Sequence, residues 1–343
     1  MTGVAPSSLV RVVHRFFATG SDCELYLHAE TADFGGEVAN AAEAEVRRIE
    51  ARFSRFRPDS ALSQINQIAA KGGTVIVDAE TAFLLRHALA CHARSDGAFD
   101  ITSGVLRAAW NFSGWRAPEQ YEIDALLPRI GLGKVTLSEN RLSFGYPAME
   151  LDFGGVAKEY AADRAAELCA GLGIRVGFVR LAGDIRTIGP LPDGLPWRIG
   201  IRDPQAPDAL IGTVALHNGA LATSGDYERF IEIDGRRYCH ILDPVTGWPC
   251  RRLASVTVIA PSCLIAGSLA TAAMVKGNTG SSWLQRQGVR HLAVDSQGGI
   301  SGTEPAGAAG VRWKYSAGPS PHSPGFRPVA ASLRRIGQPA VKP

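Results

Sequence analysis

The chain has 343 residues, 45% hydrophobic and 20% charged, enough to bury a full core in one large or two ordinary domains. Its net charge of +3 comes from Lys and Arg interspersed with Asp and Glu, which reads as a mixed solvated surface and excludes a basic nucleic-acid footprint. Six scattered cysteines (Cys23, Cys91, Cys169, Cys239, Cys250 and Cys263) form no C-x-x-C pair, which argues against a zinc knuckle or a thioredoxin-like redox site and for isolated buried thiols.

The opening MTGVAPSSLVRVVHRFFATG lacks the apolar core and cleavage site of a signal peptide, and no stretch reaches the ~20 apolar residues of a membrane span, so a cytoplasmic location is the expectation. Alternation at Cys23, Leu25 and Leu27 predicts a half-buried strand, and 38–51 an amphipathic helix. A loop at Arg57-Pro58-Asp59-Ser60 precedes a short helix ending near Asn66, a strand at 74–77 and a helix over 80–94 stopped by Asp96-Gly97. Residues 151–173 read as a strand end, a glycine pair and an Ala-rich helix. Beyond them come strands at 176–181, 197–202, 212–216, 230–233 and 255–259, a helix over 265–275, a further segment at 283–287, and strands at 291–294 and 311–315. The tail from Ser316 is rich in Pro, Ser, Gly and Ala and is expected to be disordered.

Four islands concentrate glycine, charge and hydroxyls more densely than turns require. RFSRFRPDSALSQIN, residues 52–66, sets aromatics among arginines, able to stack on a ring system or, alternatively, to leave Phe53 in the core and Arg55 and Arg57 in solvent. GAFDITSGVL, residues 97–106, presents Asp100 either to a ribose or flavin edge or to its own turn. LDFGGVAKEYAADRAAEL, residues 151–168, brings Gly154 and Gly155 to a helix N-terminus with Lys158 in its first turn. This suits a phosphate or is an ordinary strand–helix turn, and it does not match a P-loop. LATSGDYERF and CHILDPVTGWP, joined by a hairpin signal at Asp234-Gly235, gather Thr223, Ser224 and Asp226 with His240 and Asp243, a candidate general base and its orienting group.

In order and spacing these islands, with GDIRTIGPLPDGLPWRIGIRDP and SVTVIAP followed by ATAAMVKG, resemble the ApbE family of flavin transferases over about residues 15–316. The resemblance implies an α+β fold of two lobes, with mixed or antiparallel sheets flanked by helices and an FAD cleft between them. The family domain would span 1–316 and the tail 317–343. It further implies magnesium-dependent transfer of FMN from FAD to a Thr or Ser hydroxyl in an exposed motif of an acceptor flavoprotein, with AMP leaving. An FAD carrier and an FAD pyrophosphatase are the competing readings.

By matched position, Phe56, Ala98, Phe99, Asp100, Asp152, Lys158 and the Leu242 backbone would hold the FAD. The Gly155 carbonyl and Thr271 would hold Mg2+, and His240 would deprotonate the acceptor hydroxyl, with Asp243 beside it. Two departures stand out. The family commonly places an Asp four residues before the Thr of its last helix, and here AGSLATAAM puts Gly267 there. Arg180-Leu181-Ala182-Gly183 replaces an Asn and a glycine pair, so that Arg180 either adds charge near the pyrophosphate or is a surface strand residue.

Overall fold

A computed structural model describes residues 9–112, 116–206 and 208–303. The strand expected at 311–315, the domain end at 316 and the tail 317–343 lie outside the described residues.

In chain order the elements are β1 (Val10–Ala18), β2 (Ser21–Ala29), α1 (Ala32–Phe53), α2 (Ala61–Ala69), β3 (Thr74–Ile76) and α3 (Ala79–Arg94). A 3-10 stretch (Ile101–Ala108), α4 (Gln120–Asp124), β4 (Val135–Ser138), β5 (Arg141–Phe144) and α5 (Ala157–Gly171) follow. Then come β6 (Val176–Leu181), β7 (Asp184–Ile188), β8 (Trp197–Arg202), β9 (Leu210–Leu216), β10 (Gly219–Gly225), β11 (Phe230–Ile233) and β12 (Arg236–Cys239). The described chain closes with β13 (Leu253–Ala260), α6 (Cys263–Lys276), α7 (Gly280–Arg286), β14 (Arg290–Asp295) and β15 (Ile300–Gly302).

Among the described residues, eight strands form one sheet in the order β1-β2-β6-β7-β10-β13-β14-β15, antiparallel at every pairing. Its two faces bury different partners because side chains alternate along each strand. Val179 and Leu181 of β6 join the main core, on which α1, α5 and α6 pack. Val176 and Phe178 point the other way, into a second core closed by Trp197, Ile199 and Val214 of the β8–β9 hairpin. Buried alanines at 161, 162, 165 and 166 let α5 approach its neighbours closely. A third cluster, including Leu106, Trp110, Ile231 and Tyr238, seats the β11–β12 hairpin on the 3-10 stretch. Asp234 and Gly235 both have positive φ, as the tight turn between those strands demands.

The structure changes several expectations. The first strand is a hairpin of β1 and β2 turning at Thr19-Gly20. α1 starts six residues before the expected 38 because Thr31 caps it, its hydroxyl accepting from Phe34 N, and the helix runs through the Gly35-Gly36 pair. Gly35 is used for closeness: a Cβ there would stand 2.6 Å from Val12 Cγ2. Residues 151–153 are not a strand end; they are irregular backbone clamped by Asn66, whose side chain accepts from Leu151 N at 2.8 Å and donates to Leu151 O at 2.9 Å.

Candidate active site

The clamped segment carries Asp152. Its Oδ2 accepts from Arg107 Nε at 2.8 Å and from Arg55 Nη1 at 3.3 Å, while Oδ1 accepts from Gly154 N at 2.9 Å. The tethered Arg55 guanidinium lies 5.3 Å from the centre of the Phe56 ring, and Phe56 is 78% exposed. An exposed aromatic backed by a fixed cation is a platform for a flat ring.

Phe99 instead lies buried beneath the glycine pair, where a Cβ on Gly155 would stand 3.3 Å from its ring. Beside it, half-buried Ala98 donates its N–H to Ser95 O at 3.2 Å. Of the two roles open to Asp100, the structure displays the capping one. Oδ1 accepts from Thr102 N at 2.8 Å and Thr102 Oγ1 at 2.5 Å, and Oδ2 from Leu132 N at 3.1 Å.

Lys158 occupies the first turn of α5, where the helix dipole disfavours a cation. Its Nζ pairs with Asp184 Oδ2, at the start of β7, and lies 3.3 Å from Glu159 Oε1. Burial alone would push the ammonium pKa down, but these two carboxylates outweigh it and raise it, so Lys158 stays charged. The other oxygen of Asp184 accepts from Thr223 N at 3.2 Å, which joins α5, β7 and β10 in one polar cluster.

Thr271 reaches this cluster from α6, with Oγ1 3.1 Å from Ser224 Oγ of β10 and within 3.6 Å of a Cβ placed on Gly155. Ser268, on the same helix, donates to the Gly155 carbonyl at 3.4 Å. Asp163 fixes α6 against α5: Oδ1 accepts from Cys263 N at 2.7 Å and Oδ2 from Leu264 N at 2.9 Å, a charged cap at the helix N-terminus. Burial raises this carboxyl to about 6 despite those bonds.

His240 follows β12. Its Nδ1 lies 3.1 Å from the carbonyl oxygen of Arg229, which can only accept, so the proton sits on Nδ1 and Nε2 keeps its lone pair. Burial lowers its pKa to about 4, with the charges of Arg229, Arg107 and Lys158 adding to the shift, so the ring is neutral at physiological pH. Asp243 does not orient it. That carboxylate is used by its own turn, accepting from Val245 N at 2.8 Å and Thr246 Oγ1 at 3.1 Å. Leu242 bridges to Pro249 and holds the same loop.

Arg180 fits neither expectation. It is buried on the face of Val176 and Phe178, away from α5 and α6, with Nη2 3.8 Å from Glu24 Oε2. A groove of about 450 Å3 beside the loop, lined by Asp243, Trp248, Arg251 and Met274 among others, includes none of Lys158, His240 and Thr271. The hydrogen-bonded cluster therefore marks the site better than that groove does.

Sequence reasoning missed Arg107, Glu159, Asp163 and Asp184 as parts of the site. Glu159 and Asp163 did leave a signal: two acids one turn apart on the buried, alanine-rich side of α5 are costly unless they are used. Among the described residues, no three His, Cys, Asp or Glu side chains gather to hold a metal. A cation here would depend on backbone and hydroxyl oxygens as well as a carboxylate, a hard donor set that suits magnesium.

Comparison with known proteins follows the same lines. A model described as the ApbE family matches residues 19–293. A relative from Haemophilus influenzae named FAD:protein FMN transferase is 33% identical over 249 residues, 68% of this chain and 71% of its own length. The crystal structure of the ApbE protein from Thermotoga maritima superposes with a TM-score of 0.80 at 35% identity, covering 86% of this chain and 97% of that one. The apo Pseudomonas stutzeri flavinyl transferase ApbE gives a TM-score of 0.78 at 30% identity, covering 88% and 97%.

Proposed function

The chain belongs to the ApbE family, and on that premise we propose that it is an FAD:protein FMN transferase, which moves the FMN half of FAD to a hydroxyl of an acceptor flavoprotein. The observation that carries this reading is a run of contacts from α5 to α6: Lys158 on α5 pairs with Asp184, whose other oxygen accepts from Thr223 N of β10, and the next residue, Ser224, lies 3.1 Å from Thr271 of α6. His240, neutral and with its proton on Nδ1, is near enough for the Lys158 charge to help lower its pKa. Phe56 supplies the ring platform, and the Asp152 network with Arg55 and Arg107 frames it.

In the step itself, the oxygen of an acceptor Thr or Ser forms a bond to the FMN phosphorus. The bond from that phosphorus to the bridging oxygen breaks, AMP departs with that oxygen, and the hydroxyl proton passes to His240 Nε2. Lys158 sets positive charge beside the pyrophosphate, and such transfers depend mainly on positioning and charge neutralisation. The Gly155 carbonyl and Thr271 Oγ1 fit a magnesium ion, which when bound would neutralise pyrophosphate charge. Water in place of the acceptor hydroxyl would make the protein an FAD pyrophosphatase. Incubation with FAD, magnesium and an acceptor peptide, followed by AMP release and acceptor mass, separates the two: an adduct supports transfer, and AMP without adduct supports hydrolysis.

A further inference from the structure

Gly267 and Thr271 are four residues apart in α6, so a side chain at 267 would share the face of Thr271, about 5–6 Å from it between Cβ atoms. That place is already taken. A Cβ built on Gly267 would stand 2.5 Å from Glu159 Cγ, 3.1 Å from its Cδ and 3.1 Å from its Oε1. Where α6 has no side chain of its own, α5 has delivered a carboxylate.

Glu159 is only 5% exposed. Its Oε1 faces Lys158 Nζ at 3.3 Å, but Oε2 is buried without a hydrogen-bond partner among the described residues. Leaving a buried carboxylate oxygen unsatisfied costs more than the ~1–3 kcal/mol of a neutral group, a cost that a cation bound from outside the chain would offset. Lys158 cannot be that whole partner, since it is shared with Asp184. Oxygens that suit a hard cation stand close by: the Gly155 carbonyl, reached by Ser268 of the same helix, and Thr271 Oγ1.

We infer that Glu159 is the carboxylate ligand of the divalent cation in this protein, supplied from the first turn of α5 into the space that Gly267 leaves open. The inference rests on the transferase reading, which requires a cation at the FAD pyrophosphate. The glycine is then no loss of the site: Gly267 makes room for the acid, and residues larger than glycine at 267 are incompatible with Glu159 in this position.

The test is Mn2+ binding, read as loss of the free-ion electron paramagnetic resonance signal, with FAD present, for the wild-type protein, Glu159→Gln and the exchange variant Glu159→Gly with Gly267→Asp. Even partners one shell out from a metal are worth about 10–100-fold in affinity, so Glu159→Gln should weaken Mn2+ at least about tenfold while metal-free FAD binding and the circular dichroism spectrum hold. The exchange variant should recover most of that affinity, and Gly267→Asp alone should not raise it. Equal Mn2+ affinity in wild type and Glu159→Gln would overturn the inference, as would a wild-type protein that takes up no Mn2+. In the latter case flavin transfer measured with and without chelator shows independently whether the transferase reading survives.

Discussion

The Nδ1–H of His240 donates to the carbonyl oxygen of Arg229 over 3.1 Å, and the same carbonyl receives the His240 backbone N–H at 3.0 Å. One peptide oxygen thus fixes both the position of the imidazole and its tautomer. His240→Gln should cut FMN transfer by about 10²- to 10⁴-fold, the usual worth of a positioned general base, while FAD binding by flavin fluorescence stays near wild type. Unchanged transfer would remove His240 from the reaction.

The pH dependence follows from the same burial. A free histidine protonates below about 6.5. Held at about 4, His240 remains a neutral base down to about pH 5, so any acid limb it sets in the transfer rate lies well below 6.5. For stability the sign is fixed by a folded-state pKa below the unfolded one. Stability from this group is full above 6.5 and declines as the pH falls towards about 4, because the unfolded chain takes a proton that the fold refuses. Urea midpoints between pH 7 and 4.5 for wild type and His240→Gln measure this, and the variant should show the shallower decline.

Phe56 and Phe99 make opposite predictions. Phe56→Ala removes an exposed ring and should leave stability within about 0.5 kcal/mol, yet weaken FAD by up to about tenfold through lost stacking. Phe99→Ala empties buried space and should cost about 3–5 kcal/mol in denaturant unfolding.

Replacing Lys158 with Met leaves Asp184 and Glu159 facing each other without their cation. A cost of about 2–3 kcal/mol is expected, below the full value for a buried pair because a quarter of the lysine side chain, 25%, is exposed. FAD affinity should fall as well, and a calorimetric titration showing undiminished binding would contradict its role beside the phosphates.

Asp163→Ala should act on the site from a distance. Two N–H groups at the start of α6 lose a charged acceptor, about 2 kcal/mol of stability, seen as a lower denaturation midpoint. Since the same helix carries Thr271, Mn2+ binding should weaken too.

Much of this was legible in the sequence, because turn chemistry and clustered polar residues are local signals. Lys158 and His240 stand out in polar islands of the sequence, whereas Asp152 and Thr271 are singled out only by position matched to the family; in the fold Asp152 is held by Arg107 and Thr271 lies beside Ser224. The segments that form β7 and β10, DIRTI and GALATSG, are not read as strands from the sequence. They lie inside the sheet with both faces largely buried and show no polar alternation, and β10 is mostly small residues. Asp243 was misread as an orienting group although Asp-Pro-Val-Thr-Gly is itself a turn signature, and the turn consumed the carboxylate. Glu159 was hidden for a different reason: its neighbour in sequence is Lys158, but its partner in space, Gly267, is more than a hundred residues away and becomes visible only when α5 and α6 pack.

The central claim is tested most directly by mixing the purified protein with FAD, magnesium and an acceptor flavoprotein, then following acceptor mass and free AMP together. Transfer predicts a covalent FMN adduct and AMP in equal amounts, both lost on chelation. Bound FAD with neither product, or AMP with free FMN and an unmodified acceptor, would contradict it.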